Sequence, residues 1–207
     1  MEAVALGVKG LEMASGVNYA MVTVQELREL AHLVAANGVF VIPTLVLNEQ
    51  LSRLLEPDLH RDPLLQYVPR AQFGWWDAPY GVGKWTEAHA AEHWHILAQK
   101  KALIDALAKA DGRVVAGSAT PNPYVIPGAS LHRELELLVE AGLTPMQALR
   151  AATQVAAELL GQEAHLGTLA EGKVADLVIL DGNPLADIRQ IRHVEVVLRD
   201  GQIVWKQ

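Results

Sequence analysis

Three histidines lie close together in the sequence, and their spacing is the first feature that could support chemistry. His89 and His93 are four residues apart, which is the spacing of paired metal ligands on one face of a helix. The glutamate of an H-E-x-x-H motif and a third ligand do not accompany them. His93 and His95 are separated by one residue, and on a helix such side chains point roughly 200° apart. We therefore interpret these histidines as structural rather than as metal ligands.

Hydroxyl and aromatic side chains are the other candidates for a catalytic or binding role. Ser118 has no identifiable histidine and aspartate to activate it as a nucleophile, so a hydroxyl bonded to backbone is the default interpretation. Between Asn48 and Lys84 the sequence is rich in proline and carries four aromatic residues close together, Phe73, Trp75, Trp76 and Tyr80. This pattern predicts an irregular loop. Its aromatic side chains could form a substrate-shaping lid or a hydrophobic cluster that fixes the loop, and both interpretations stay open.

Helix signals define the elements that must position these residues. The capping boxes Thr23 to Glu26 and Thr144 to Gln147 predict two helix starts, with glycines at 38 and 161 ending the helices. A further long helix is predicted from Thr86 to Ala110.

Continuous apolar runs predict the strands. Residues 39–45 (VFVIPTL), 114–120 (VVAGSAT) and 174–180 (VADLVIL) have the composition of buried strands. Alternating residues on either side of Asp200-Gly201 predict a closing β-hairpin. Helices that alternate with apolar strands are typical of an α/β fold.

Composition excludes several classes of protein. Of the 207 residues, 51% are hydrophobic and 20% are charged, as in an ordinary globular protein. The absence of cysteine excludes disulfides and thiolate metal sites. A formal net charge of −7 argues against nucleic-acid binding. We find no membrane-spanning segment and no signal-peptide pattern at the N-terminus, and so expect a cytoplasmic protein.

Two consecutive segments resemble a known family. Residues 142–153 (GLTPMQALRAAT) and 166–184 (LGTLAEGKVADLVILDGNP) resemble the C-terminal end of the amidohydrolase superfamily, nearest to its imidazolonepropionase and Xaa-Pro dipeptidase branch. The resemblance implies the last three β/α units of a (β/α)8 TIM-type barrel, followed by C-terminal strands of a small β-sandwich. On this basis we predict a partial barrel over residues 1–165, including the aromatic-rich loop 48–84, and sandwich strands over residues 166–207.

The resemblance also identifies two positions at which this sequence departs from the family. Where the sixth barrel strand ends in a histidine, the sequence has Met13, which we interpret as a core residue at a strand end. Where the eighth strand carries the catalytic aspartate, the sequence has Ala119. A thioether is a poor substitute for imidazole on zinc, and a methyl group neither binds a cation nor accepts a proton. Barrel strands that carry the family's other metal ligands are not recognisable in this sequence.

These departures lead to two functional hypotheses. The chain could be an amidohydrolase-type hydrolase of C–N bonds in small amides or dipeptides that is truncated and inactive alone. Alternatively, it could be a non-catalytic binding or partner protein, or one half of a split or engineered amidohydrolase. We predict no catalytic residue and no metal or other cofactor for this chain, although the family uses zinc or another divalent metal. The candidate substrate contacts are Thr44, Trp75, Trp76, Tyr80 and Ser118.

Partners follow from the predicted strands. Parallel barrel strands are apolar on both faces because other elements normally pack against both faces of a parallel sheet. A sheet of about three such strands would have two open edges. We therefore expect a homo-oligomer or a complex with a complementing N-terminal fragment.

Overall fold

A three-stranded parallel sheet forms the centre of the N-terminal part of the chain. The computed structural model describes residues 4, 7–14, 17–80 and 84–207, and for residues 75 and 77–80 it describes the backbone only. Strands β1 (Gly10–Glu12), β2 (Phe40–Ile42) and β3 (Arg113–Val114) lie in the order β1-β2-β3. Gly10 pairs with Phe40, and Phe40 with Arg113, both in parallel register. The predicted α/β class with adjacent parallel strands is confirmed, whereas their assignment to a partial (β/α)8 barrel remains a prediction.

The apolar runs 39–45 and 114–120 form shorter strands than the sequence predicted. Strand β2 ends at Ile42 because Pro43 has no N–H to donate and Thr44 turns the chain with a φ of 48°. Leu45 then begins a helix instead of ending the strand. Regular pairing in the run 114–120 stops at Val114. The Val115 N–H still donates to the Val41 carbonyl, with 2.9 Å between nitrogen and oxygen.

Helices connect and cover the strands. They are α1 (Val24–Ala36), α2 (Leu45–Ser52), α3 (Arg70–Tyr80), α4 (Glu87–Lys109), α5 (Ala129–Glu140), α6 (Pro145–Ala152) and α7 (Gln154–Leu160). Both predicted capping boxes are present, at the starts of α1 and α6. The long predicted helix is α4, with Thr86 as its N-cap.

The region from Asn48 to Lys84, predicted as an irregular loop, is largely helical. It contains most of α2, the 3-10 turns Leu59–Arg61 and Pro63–Tyr67, and the whole of α3. Its prolines include Pro63, which begins a 3-10 turn at a position where the missing N–H is not needed. Proline in this segment therefore does not exclude helix.

The helix predicted to run from Thr144 to Gly161 is divided in two. Thr153 has φ −127° and ψ −86°, which are not helical angles, and it separates α6 from α7. Gly161 ends α7 in the left-handed conformation, as predicted. The division lets the Ala151 carbonyl at the end of α6 accept the Ala116 N–H at 3.0 Å, so the helix contacts the chain beyond β3.

The C-terminal part forms a separate antiparallel sheet. Strands β4 (Leu177–Leu180), β5 (Val194–Arg199) and β6 (Gln202–Lys206) lie in sequence order. The predicted hairpin is present, with Asp200 and Gly201 both at positive φ. The 3-10 turn Ile188–Arg192 between β4 and β5 buries two isoleucines in the main core, so this segment packs against the rest of the chain.

One continuous core lies between α4, the sheet and helices α1, α2, α5 and α6. Its fully buried members include Leu27, Leu45, Ile104, Leu107 and Leu138. Among the described residues, no helix is long and apolar enough to cross a bilayer.

Helix α4 offers a matched test of this packing. We expect Ile104→Ala, which truncates a side chain with no exposed surface, to lower the free energy of unfolding by roughly 2–5 kcal/mol. Trp94→Ala removes a larger side chain from the same helix, but Trp94 is half exposed, and we expect a loss of about 1 kcal/mol or less. Urea unfolding measures both values. A larger loss for Trp94→Ala than for Ile104→Ala would contradict the packing described.

Candidate functional site

The carboxyl ends of the three parallel strands meet at one edge of the sheet, and this edge is the candidate site. Met13 directly follows β1, Thr44 follows β2 by two residues, and Ala119 lies five residues beyond β3. Their φ values are 55°, 48° and 59°, in the left-handed region that residues other than glycine seldom adopt. Such strained backbone is found most often where the surrounding structure holds a functional geometry. This shared conformation was not visible in the sequence.

Met13 is exposed, and the prediction that it is a core residue is wrong. Its side chain keeps 41% of its accessible surface. Both Met13 and Ala14 have positive φ, and this turn places Ala14 in the core and Met13 outside it. The position aligned with the family's histidine therefore faces outward at the strand end.

The hydroxyl groups at this edge bond within the chain. Thr44 is buried, and its Oγ1 donates to the Pro43 carbonyl at 2.7 Å. Ser118 is half-buried, and its Oγ lies 2.9 Å from Thr120 Oγ1. The substrate-contact roles of Thr44 and Ser118 remain predictions.

Trp76 anchors helix α3 to the chain beyond β3. Its side chain is buried, and its Nε1 donates to the Pro121 carbonyl at 2.8 Å. The ring contacts Phe73 at 5.3 Å and Tyr124 at 5.1 Å between centroids. These contacts place part of the aromatic group beside the segment that carries Ala119. The side chains of Trp75 and Tyr80, the other two aromatic candidates, lie outside the described part of the structure.

The three clustered histidines bond to separate groups. His89 Nδ1 accepts the Thr86 N–H at 3.2 Å in the cap of α4. His93 Nδ1 lies 3.0 Å from Asn48 Nδ2, and its ring stacks on Trp85. Burial lowers the pKa of His93 below its ordinary value, which favours a neutral ring.

The donor set at the strand ends does not fit a divalent metal. Met13 and Ala119 provide a thioether and a methyl group where borderline ions prefer nitrogen or oxygen ligands. Across residues 4, 7–14, 17–80 and 84–207, no three histidine, aspartate, glutamate or cysteine side chains are grouped closely enough to hold an ion. We therefore derive no chemical step through a metal.

Two buried charges beneath the strand ends were missed by the sequence analysis. Glu134 on α5 has no exposed surface, and Lys100 on α4 keeps 3% of its surface. A signal was available for both. Lys100 lies three residues after Leu97 and four before Ile104, and Glu134 lies three after Leu131 and four before Leu138. Each charge therefore occupies the apolar face of its helix.

Comparison with known proteins decides the family. A model described as "Amidohydrolase family" matches residues 31–204, which is most of the chain. The chain belongs to the amidohydrolase family. Ala119 lies within the matched residues and Met13 lies before them, so the assignment of these two positions to the family's chemical residues remains a prediction.

Relatives of this amidohydrolase-family chain have several different activities in their names. Ochratoxinase from Aspergillus niger is 36% identical over 124 residues, which cover 58% of this chain and 24% of that protein. Imidazolonepropionase from Geobacillus kaustophilus strain HTA426 is 35% identical over 111 residues, 52% of this chain and 25% of that protein. A solved prolidase complexed with N-methylphosphonate-L-proline has 28% identity and a TM-score of 0.70, and the match covers 99% of this chain and 42% of that one. The amidohydrolase-family chain thus matches well under half of each relative's length.

The buried carboxylate of Glu134 predicts a pH dependence of stability. Burial raises the pKa of Glu134 to about 7, above its ordinary value of 4.5, so the folded state binds a proton that the unfolded state releases. This contribution to stability is complete below about pH 4.5 and is lost as the pH rises through about 7. We expect wild type to lose unfolding free energy relative to Glu134→Gln between pH 4.5 and 7.5. Urea unfolding of both proteins at each pH measures this difference in unfolding free energy. A difference that does not change with pH would contradict the prediction.

Proposed function

We propose that this chain has the scaffold of an amidohydrolase-family hydrolase that acts on C–N bonds of small amides or dipeptides. We also propose that its own residues do not catalyse hydrolysis. The supporting observation is the pair of side chains at the ends of β1 and β3. Met13 and Ala119 occupy the positions that the resemblance assigns to a histidine and to the catalytic aspartate. Neither can activate a water molecule, because neither accepts a proton at neutral pH.

The names of the relatives support the proposed substrate class. A prolidase and an imidazolonepropionase are among them. We propose that any ligand of this chain belongs to the same class, a dipeptide with proline or a small cyclic amide. The strand-end edge, with helix α3 attached beside it through Trp76, is the surface that would receive such a ligand.

The proposal predicts the outcome of a direct assay. The purified chain, incubated with an Xaa-Pro dipeptide or a cyclic imidazolone in the presence of added zinc, is expected to show no hydrolysis above the protein-free blank. The double variant Met13→His with Ala119→Asp is also expected to be inactive, since the described residues provide no further group of ligands. Metal-dependent turnover by either protein would contradict the proposal.

A second candidate function is that of a partner protein, and the surface of the C-terminal sheet favours it. All five residues of β6 are exposed, and they include Ile203, Val204 and Trp205. Val178 and Ile179 of β4 are also exposed, and neighbouring residues of a strand face opposite sides of the sheet. Apolar surface on both faces is typical of an interface.

The backbone beyond β3 already has a bonding partner within the chain. Beyond β3 the Ala116 N–H is already bonded to the Ala151 carbonyl of α6. Near the start of α1, Met21 is exposed and lines a cavity of about 280 Å³, and Val24 is also exposed. We propose that the C-terminal sheet and this region near α1 pair with a second copy of the chain or with a complementing amidohydrolase fragment.

Sedimentation of the purified chain tests the partner proposal. We expect a species larger than the 22.5 kDa monomer at micromolar concentration, and a shift toward monomer in the double variant Ile203→Lys with Val204→Lys. Tyr67→Lys is the control, because it removes an exposed aromatic side chain elsewhere. A compact wild-type monomer that unfolds cooperatively and binds no added N-terminal fragment of a prolidase would contradict the proposal.

A further inference from the structure

Three buried polar side chains lie beneath the strand ends, and each bonds to backbone. They come from three parts of the chain: Glu134 from α5, Lys100 from α4, and Tyr19 from the segment after β1. Their partners are the peptide groups around the ends of β1 and β2. Buried polar side chains that bond to backbone fix the path of the chain at that point, since breaking the bond would leave a peptide group unpaired.

Glu134 takes the place of an N-cap for helix α2. Its two carboxylate oxygens accept the N–H groups of Leu45 and Val46, at 3.0 and 2.7 Å. These are the first two N–H groups of α2, which have no partner within the helix. Thr44 occupies the N-cap position but makes no side-chain cap, because its hydroxyl bonds to Pro43. The cap is therefore provided by a residue that lies 88 positions from Val46 in the sequence.

Lys100 and Tyr19 hold the adjoining carbonyl groups. Lys100 Nζ donates to the Pro43 carbonyl at 2.8 Å, immediately before the left-handed Thr44. Tyr19 Oη donates to the Ala14 carbonyl at 2.8 Å, just after Met13. The ends of β1 and β2 are thus held by buried side chains that hydrogen-bond to the backbone there.

The two charges do not gain from burial. Burial raises the pKa of Glu134 and lowers the pKa of Lys100, to about 8, so burial disfavours the charged form of each, although each charge favours ionisation of the other. Glu49 on α2 is a further charge near Glu134, and it opposes ionisation of Glu134. Arg133 forms a bidentate ion pair with Glu49. An apolar pair of similar volume would avoid this cost. What the charges supply is a defined geometry for the backbone above them.

We propose that Glu134 and Lys100 are positioning residues that hold the end of β2 and the start of α2 in the left-handed turn at Thr44. They thereby shape the floor of the candidate site between Met13 and Ala119. The inference goes beyond the proposed function, since it applies whether the strand-end edge binds a ligand, a partner or neither. It can fail without affecting the proposals on hydrolysis and assembly.

Hydrogen exchange at two backbone amides tests the role of Glu134. In Glu134→Gln, one carboxylate oxygen becomes an NH₂ group that cannot accept a hydrogen bond. We expect the amides of Leu45 and Val46 to exchange about tenfold faster or more, while core amides of α4 keep their rates. Glu136→Gln is the matched control: Glu136 is a buried glutamate on the same helix, and its partners are the side chains of Arg133 and Arg192. Equal rates in the two variants would overturn the proposal.

Lys100 has an equally close control. Lys100→Met keeps the aliphatic stem and removes the donor to Pro43, whereas Lys101→Met removes a surface ion pair with Glu140. We expect faster exchange of the Leu45 amide in Lys100→Met only. The same rate in both lysine variants would overturn the assignment of Lys100.

Wild-type protein provides a measurement that does not depend on the folding of any variant. If Glu134 accepts the N–H groups of Leu45 and Val46, the amide proton shifts of both residues should titrate together with the Glu134 carboxyl signal. Nuclear magnetic resonance between pH 5 and 9 would record the three signals. Amide shifts of Leu45 and Val46 that do not follow the carboxyl signal would overturn the proposal.

Discussion

A helix that starts without a cap of its own is the constraint on which the strand-end edge depends. Helix α2 begins three residues after the end of β2, and the turn at Thr44 leaves no local side chain to accept its first N–H groups. A buried peptide group without a partner destabilises the folded state by roughly 1–3 kcal/mol. The carboxylate of Glu134 supplies both missing acceptors. Helix α5 must therefore pack against α2 in one register, and β2 must end where it does.

In this family member, the residues that hold the backbone at the strand ends are different from the residues whose side chains lie at the candidate site. The backbone at the strand ends is held in unusual conformations by a buried polar layer, as a working site would require. The side chains at the strand ends are a methionine and an alanine, which offer zinc no nitrogen or oxygen ligand and have no group that accepts a proton at neutral pH. Glu134, Lys100 and Tyr19 hydrogen-bond to backbone, so the proposed lack of catalytic groups at Met13 and Ala119 is compatible with an intact scaffold.

The two sheets differ in how their apolar surface is covered. The parallel sheet is enclosed by helices, and residues Val41 and Val114 are buried in its core. The antiparallel sheet contacts the core mainly through Ile188 and Ile191 between its strands, and it leaves apolar side chains exposed on both faces. Exposed apolar surface of this kind costs free energy in water and favours association. The C-terminal sheet is therefore where partner binding would stabilise the protein most.

The sequence by itself determined the family and the starts of helices α1, α4 and α6. Capping boxes such as Thr23 with Glu26 are local interactions, and so they can be read from residues three positions apart. The Asp200-Gly201 hairpin is local in the same way. What was misjudged locally was the proline-rich segment 48–84, where prolines accompany helices and do not exclude them.

Only the tertiary structure decided the length of the strands, the exposure of Met13 and the arrangement beneath the site. Strand β2 is cut short by the turn at Thr44, which depends on Lys100 and Glu134 and therefore on contacts 57 and 88 or more residues away. The sequence pattern placed both charges on apolar helix faces, but it could not show what they would bond to. Hydrogen bonds between distant elements depend on how the helices pack, and that packing is a property of the whole core and not of any single segment.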